Sequence, residues 1–277
     1  MKLNIVPART GLEWTRLGVR VFWRQPMALA ALFFLSMAAM SLATALPLVG
    51  PALALALLPS ATLAMMVAAA EASHGRTPTP RVLLVAFRTG RERLQAMLTL
   101  GALYAGGFLL IMGLSALIDG GEFASVYLGG QPLTREIAES GDFQLAMWLS
   151  LLLYVPLSLL FWHAPGLVHW YGVPPVKALF FSLIACLRNL AAFTVYGLAW
   201  MGVFLLAGLL ISLLVTLLAG LGLGAGFAGG VMVATAMSLA AMFFTSVVFT
   251  FRDSFQAPQW QPPSTEAVPP PEPPPSV

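Results

Sequence analysis

Charged residues are scarce in this chain of 277 residues. Asp, Glu, Lys and Arg together make up 9% of it, whereas 59% of the residues are hydrophobic. An ordinary soluble domain carries about 25% charged residues, and a chain this poor in polar side chains could not cover the apolar surface that it would expose to water. The composition therefore excludes a soluble globular protein and indicates an integral membrane protein.

Cysteine and lysine are nearly absent as well. The one cysteine, Cys186, excludes an internal disulfide and a cysteine-cluster metal site, and we expect it to be a reduced, buried thiol. Two lysines stand against twelve arginines, and the net charge is only +3. We expect no nucleic-acid partner, since that needs a clustered basic face on a soluble fold. The arginine excess suits lipid phosphates, which guanidinium groups bind in bidentate fashion.

Ionisable side chains are also missing from the centres of the long apolar runs. Ion-coupled carriers keep such residues at mid-membrane, because a charge there is costly and is retained for function. The sequence also lacks an acid–base pair, a Ser–His arrangement, an HExxH motif and a pair of intramembrane aspartates. We therefore predict no catalytic residues and no cofactor, and expect neither a proton-coupled carrier nor an enzyme.

Two motifs resemble ligand sites and fail on inspection. His163 and His169 lie six residues apart, and His74 lies on another connection. That is too few convergent ligands for a metal, so no metal site is predicted. The glycines of residues 224–229 match G-x-G-x-x-G, but the dinucleotide fingerprint requires a preceding strand in a soluble β-α-β unit. A flexible hairpin or a close helix contact explains these glycines instead.

The chain does contain six apolar runs, each about long enough to cross a ~30 Å hydrocarbon layer. We place the spans at residues 27–46, 49–70, 94–118, 143–164, 190–219 and 227–251. The sequence thus predicts an all-α integral membrane protein whose six-helix membrane domain covers residues 27–255.

The basic residues predict the orientation of these spans. With the N-terminus in the cytoplasm, 13 of the 14 Lys and Arg residues lie on the cytoplasmic side, and Arg135 is the exception. The outer loop Asp119–Asp142 then carries five acidic residues against that one arginine. This asymmetry follows the positive-inside rule, so we predict that both termini are cytoplasmic.

One basic amphipathic segment precedes each pair of spans. Arginines recur at helical spacing within residues 1–26 and again within Arg81–Arg88. A third such stretch starts at Pro174. We predict three interfacial helices, with their arginines toward phosphate and water. The fold is then three hairpins, each preceded by a basic interfacial helix. This layout favours an internal repeat, although any six-helix protein that obeys the positive-inside rule would look similar.

The basic residues of these segments are candidate contacts for anionic lipid headgroups, each contributing ~1 kcal/mol near an anionic leaflet. They are Arg16, Arg20, Arg24, Arg81, Arg88, Arg91, Arg93, Lys177 and Arg188. Aromatic and histidine side chains near the end of the fourth span are predicted to form a belt at the membrane–water interface. The residues of this belt are Trp162, His163, His169, Trp170 and Tyr171.

The composition changes after Gln256. Nine prolines fall between Pro258 and Val277, together with Glu266 and Glu272. Nothing in this stretch can form a core, so we predict that residues 256–277 are a disordered or polyproline-II tail.

Two stretches carry a resemblance to a known family. They are NIVPARTGLEWT (Asn4–Thr15) and PPVKALFFSLIACLRN (Pro174–Asn189). The chain resembles uncharacterised six-helix inner-membrane proteins of β-proteobacteria over roughly residues 1–255. More distantly, it is similar to the membrane domain attached to some glycerophosphodiester phosphodiesterases. The resemblance implies a hairpin-repeat domain in the bacterial inner membrane. It implies no catalytic residues, because the soluble phosphodiesterase domain has no counterpart here.

Three classes of function are compatible with these features. The first is a non-enzymatic inner-membrane accessory or scaffold protein that binds anionic lipid. The second is a permease or lipid-handling channel without ion coupling, and the third is an enzyme acting on lipid headgroups. The expected partners are membrane lipids, above all anionic phospholipid, and either a second copy of the chain or another membrane protein. The charge-free membrane centre disfavours coupled transport and the missing acid–base pair disfavours an enzyme, so the first class is favoured.

The orientation can be tested by cysteine labelling in a Cys186→Ala background. A cysteine at Ser125, in the acidic outer loop, should react with an impermeant maleimide in intact cells. A cysteine at Ser73 should react only after the cells are opened. Labelling of the Ser73 position from outside would overturn the predicted topology.

Overall fold

The computed structural model describes residues 2–88, 90–220 and 225–255. The described residues are overwhelmingly α-helical, and their β pairing is limited to one antiparallel bridge between Leu3 and Phe255. The predicted all-α class is therefore confirmed. The predicted proline-rich tail and part of the hairpin between the last two spans lie outside the described residues.

Twelve α-helices run through the described residues. They are α1 (Thr10–Arg24), α2 (Pro26–Thr44), α3 (Gly50–Ser73), α4 (Val85–Arg88), α5 (Arg91–Asp119), α6 (Glu122–Tyr127), α7 (Arg135–Glu139), α8 (Gly141–Phe161), α9 (Ala164–Tyr171), α10 (Pro175–Arg188), α11 (Leu190–Gly220) and α12 (Ala225–Ser254). A 3₁₀ turn, Pro80–Leu84, precedes α4.

Six helical stretches within the described residues are long and apolar enough to cross a membrane. They are Pro26–Thr44, Gly50–Ser73, Arg91–Asp119, Gly141–Tyr171, Leu190–Leu218 and Gly226–Ser254. We call the end of the bundle with α1, α4, α9 and α10 the basic end, and the opposite end with α6 and α7 the acidic end.

Proline and glycine set several helix boundaries. Pro26 and Pro175 occupy first-turn positions in α2 and α10, where proline's missing N–H costs nothing and its fixed φ suits a helix. Gly120 ends α5 with φ of +66° and Gly172 ends α9 with φ of +63°. Glycine adopts this left-handed conformation without the Cβ clash that other residues meet.

The fourth span differs from its prediction. We expected one helix over 143–164, but α8 ends at Phe161 and α9 begins at Ala164. Pro165 in the first turn of α9 explains the break, because its ring opposes continuation of the preceding helix. The hydroxyl of Ser182 on α10 fastens this corner: it donates to the carbonyl of Leu159 at 2.8 Å and accepts from the backbone N–H of His163 at 2.9 Å.

The helices pack unevenly. The strongest pairings among the spans join α2 to α3, α3 to α5 and α5 to α8. In contrast, α11 and α12 contact each other only modestly, and both pack more extensively on α1. The expected arrangement of three equivalent hairpins stays a prediction.

The partner of α1 also differs from the prediction. Its charged and apolar faces separate as expected, but the apolar face lies against protein and not against lipid. Trp14 has 0% of its surface exposed, and its ring lies 5.3 Å from that of Phe193 on α11. Gly11 abuts the backbone of α11, and Gly18 abuts Ser246 on α12. Only residues without a Cβ permit such a close approach, so α1 packs as a wedge between α11 and α12.

The second amphipathic segment is not one helix. It is the 3₁₀ turn followed by the single turn of α4, with Val82 and Ala86 buried and Arg81 and Arg88 exposed. The third segment is the continuous helix α10, which lies against α8 and α9. The location of these segments at the membrane–water interface stays a prediction.

The residues before α1 are fixed by one buried side chain, that of Asn189 at the junction of α10 and α11. Its Oδ1 accepts from the backbone N–H of Val6 at 2.9 Å, and its Nδ2 donates to the carbonyl of Asn4 at 3.0 Å. The backbone N–H of Asn4 donates to the carbonyl of Ser254 at 2.9 Å. The two stretches that carry the family resemblance therefore meet at this point.

Cys186 is buried on α10, with 1% of its surface exposed. Its Sγ lies 3.9 Å from the carbonyl of Leu159. Burial raises the pKa of this thiol to about 12, although a hydrogen bond with Ser182 acts weakly in the opposite direction. A thiol is nucleophilic only as the thiolate, so Cys186 should be inert.

The wedge contact can be tested with matched Gly→Ala substitutions. At Gly11 or Gly18 the new methyl group meets a neighbouring helix, so Tm in detergent should fall by about 3–10 °C. Gly106→Ala and Gly202→Ala are the controls, because an added Cβ meets no described atom within 4 Å at either position. Equal Tm values in all four variants would show that the close approach of α1 is unimportant.

The thiol can be tested by mass spectrometry of the folded protein after treatment with N-ethylmaleimide. Modification of Cys186 should stay below a few per cent at pH 7.5 and at pH 9, since the raised pKa keeps the group protonated at both. Denaturation in SDS should give full modification. Rapid modification of the folded protein at pH 9 would contradict the burial.

Candidate functional site

An open cleft of about 640 Å³ lies at the basic end of the bundle. Four helices form its walls: the second half of α1, the end of α3, the end of α9 and the end of α12. We call it the basic-end cleft. Its lining consists of Leu17, Arg20, Val21, Arg24, Ala70, Ser73, His74, Trp170, Tyr171, Val248, Phe249, Phe251, Arg252 and Phe255.

Aromatic rings form much of the wall. The ring of Phe251 lies 5.0 Å from that of Trp170, 5.2 Å from that of Phe255 and 6.0 Å from that of Tyr171. These spacings are typical of tilted aromatic pairs. Because the rings come from both α9 and α12, they hold the two helices at a fixed separation. Phe249, Phe251 and Phe255 are themselves buried, so the accessible aromatic surface of the cleft comes from the half-buried Trp170 and Tyr171.

Three guanidinium groups line the same cleft. Arg20 and Arg24 lie one turn apart on the exposed face of α1, so both side chains project on the same side of the helix. Nη1 of Arg24 donates to the carbonyl of Ser73 at 3.5 Å, a long hydrogen bond that leaves most of the guanidinium free. The third group, Arg252, comes from the last turn of α12.

A chain of contacts orients Arg252. Its Nε donates to Oδ1 of Asp253 at 2.7 Å, and its guanidinium carbon lies 5.1 Å from the centre of the Phe249 ring. Oδ2 of the same carboxylate accepts from Nε1 of the buried Trp14 at 2.9 Å. Helix α1 therefore contributes Arg20 and Arg24 to the cleft directly. Through Trp14 it also positions Asp253, the ion-pair partner of Arg252.

Besides the arginines, Tyr171 and Trp170, the lining residues with polar side chains are Ser73 and His74. Nδ1 of His74 lies 2.7 Å from the carbonyl of Ala70, and the hydroxyl of Ser73 donates to the same carbonyl at 2.7 Å. A carbonyl oxygen only accepts hydrogen bonds, so Nδ1 of His74 carries the proton. That nitrogen cannot take a proton from Ser73, and the pair is not arranged as a nucleophile and its base.

The predicted headgroup contacts do not form one site. Arg20 and Arg24 line the basic-end cleft, whereas Arg93 lines a smaller recess of about 490 Å³ beside Pro174. The remaining predicted residues lie elsewhere, on exposed parts of α1, the 3₁₀ turn, α4, α5 and α10. They are Arg16, Arg81, Arg88, Arg91, Lys177 and Arg188.

The predicted belt needs a correction. His163 has 0% of its surface exposed and lies among the rings of Phe193, Phe251 and Phe255, so its assignment to the membrane interface was wrong. It is buried because the break between α8 and α9 turns it inward. Of the other four residues, Trp162 and His169 are half-buried, and the half-buried Trp170 and Tyr171 line the cleft.

Sequence reasoning missed the contribution of α12. Arg252 and the phenylalanines at positions 249, 251 and 255 belong to the cleft, yet they read as the ordinary end of a last transmembrane helix. The one signal in the sequence was that Phe249 lies off the stripe shared by Phe251 and Phe255. No helix pairing could be deduced from that spacing.

Together, the six apolar spans define a multi-pass α-helical membrane protein. The chain is 38% identical over 258 residues to a probable inner membrane protein of Burkholderia thailandensis. The aligned region covers 92% of this chain and 94% of the relative. The chain therefore belongs to the same family as that protein. It matches no family model and no solved structure. The distant resemblance to the membrane domain of glycerophosphodiester phosphodiesterases stays a prediction.

Proposed function

We propose that this protein is a non-enzymatic accessory protein of the inner membrane that holds an anionic lipid at the basic-end cleft. The observation that carries the proposal is the pairing of three arginines with an aromatic wall in one opening. A ligand that satisfies both surfaces has a phosphate headgroup and an apolar chain. Anionic phospholipid is the abundant molecule of that kind in a bacterial inner membrane.

The charges support an anion. The cleft lining contributes three arginines and, within the described residues, no carboxylate; of the three, Arg252 is paired with Asp253 beside the lining. Arg20 and Arg24 have no carboxylate partner within ion-pair distance in the described part of the chain. Two free guanidinium groups a turn apart suit a phosphate, to which each can donate two parallel N–H bonds.

The location supports a lipid over a soluble anion. The basic end faces the cytoplasm in the orientation that the positive-inside rule favours, where anionic headgroups attract arginines by ~1 kcal/mol each. The accessible part of the wall, which comes chiefly from the half-buried Leu17, Trp170 and Tyr171, would remain in contact with water if a small anion such as phosphate occupied the cleft alone. An acyl chain covers that wall and removes apolar area from water.

The polar groups of the cleft support binding without chemistry. Ser73 and His74 both direct their polar atoms to one backbone carbonyl, and among the described lining residues there is no carboxylate to act as a general acid or base. The proposal therefore assigns the cleft to retention of lipid, which would stabilise this protein or present lipid to a membrane partner.

Native mass spectrometry with lipid identification tests the proposal. The variant Arg20→Gln/Arg24→Gln should lose most of the co-purifying phosphatidylglycerol or cardiolipin, because it removes the free guanidinium groups of the cleft. Arg20→Lys/Arg24→Lys should show an intermediate loss, since lysine keeps the charge but lacks the bidentate fork.

Arg81→Gln/Arg88→Gln is the matched control, because it removes the same charge from the same end of the bundle outside the cleft. It should retain nearly as much lipid as the unaltered protein. The same retained lipids in all four proteins would refute the lipid site, and the arginines would then serve only to orient the chain.

A further inference from the structure

We propose that the proline-rich segment after Phe255 folds back into the basic-end cleft and competes there with the anionic lipid. The competition with lipid rests on the proposed function, whereas the docking itself depends only on the cleft and the sequence of the tail. Four features point to this occupant: where the tail starts, how far it reaches, its charge and its prolines.

The tail starts at the cleft itself. Phe255, the last residue described, lines the cleft and is held there by its antiparallel bridge to Leu3. The 22 residues that follow it include Glu266 and Glu272. Glu272 is 17 residues from Phe255, and a polyproline-II segment of that length spans about 53 Å at ~3.1 Å per residue. A chain of that length can bring both glutamates back to the opening from which the tail departs once it reverses direction, which the proline-free residues 259–261 permit.

The charges of tail and cleft are complementary. Residues 256–277 contain two glutamates and neither lysine nor arginine, whereas the cleft presents Arg20, Arg24 and Arg252. A glutamate carboxylate can accept the same paired N–H bonds from arginine that a lipid phosphate accepts. The tail thus carries a group that the arginines of the cleft can bind in the same way as a phosphate.

The prolines match the aromatic wall. Proline-rich segments dock into grooves lined by aromatic rings, because the polyproline-II conformation is already formed and little entropy is lost on binding. The segment Pro270-Pro271-Glu272-Pro273 has prolines three residues apart around a glutamate. Its prolines can lie on the half-buried rings of Trp170 and Tyr171 while Glu272 reaches the arginines at the rim.

Competition follows from this shared site. Because the tail is covalently joined to the wall of the cleft, it acts at an effective concentration in the millimolar range. Even a weak intramolecular contact would then occupy the cleft for much of the time and lower its apparent affinity for lipid. The tail would make lipid binding selective for conditions in which anionic lipid is abundant.

Docking is tested without lipid, on the full chain in a neutral detergent. A Ser264→Cys variant in a Cys186→Ala background carries an environment-sensitive fluorophore, and its anisotropy is measured at low and high salt. Arg20→Gln/Arg24→Gln in that background should lower the anisotropy, as should 1 M NaCl, because both release the tail. Arg81→Gln/Arg88→Gln is the matched control and should leave the anisotropy unchanged. Equal anisotropy in all three proteins at both salt concentrations would overturn the docking.

Competition is tested with a short-chain phosphatidylglycerol titrated into the full chain and into a variant ending at Gln256. The truncated variant should bind about fivefold more tightly, and Glu266→Gln/Glu272→Gln should give part of that gain. Glu136→Gln/Glu139→Gln, which changes the same charge in the acidic outer loop, should have no effect. Equal affinities with and without the tail would overturn the competition and leave lipid binding intact. If neither protein binds the lipid, the proposed function fails, and the anisotropy experiment alone decides the docking.

Discussion

Much of the basic end depends on the packing of α1 between α11 and α12. A helix can enter that space only if its contact face is nearly flat, and Gly11 and Gly18 make it so. Trp14 then fills the gap between them and buries its indole completely. Its N–H needs an acceptor at that depth, and Asp253 supplies one. This one hydrogen bond links the start of the chain to the end of its last transmembrane helix.

The basic-end cleft is a consequence of that wedge. While α1 packs against both α11 and α12, the end of α12 also contacts α9 through the rings of Phe251 and Trp170. The same wedge carries Arg20 and Arg24 along its outer face to the rim of the opening. Asp253 meanwhile holds Arg252 in place across the cleft. The apolar wall and the cationic rim of the cleft therefore both depend on the packing of α1 against α11 and α12. A change that displaced α1 would alter both.

Composition and periodicity were sufficient for the class and for the number of spans, since bilayer thickness constrains each helix separately. They were insufficient to predict which side chains are buried by contacts between helices. The stripe of arginines on α1 was visible in the sequence, but the partner of its apolar face was not, because lipid and a neighbouring helix favour the same residues. For His163 the flanking tryptophans suggested a membrane interface, whereas the break before Pro165 placed it in the interior. The two terminal regions of the cleft, α1 and the end of α12, are more than 200 residues apart in the chain, and no local pattern predicts that they meet.

Under the proposed function, the arginines of the basic end divide into two groups with different physical roles. Residues such as Arg81 and Arg88 project from short exposed segments, where charge alone is enough to keep a connection on one side of the membrane. Arg20, Arg24 and Arg252 instead face a shared opening with an aromatic wall, where the directions of the N–H bonds matter as well as the charge. The positive-inside rule accounts for both groups equally well, so it cannot distinguish an orienting arginine from a binding one. What separates them is the apolar wall, which gives no advantage to an arginine that only orients the chain but contributes binding energy when an amphiphile lies against it.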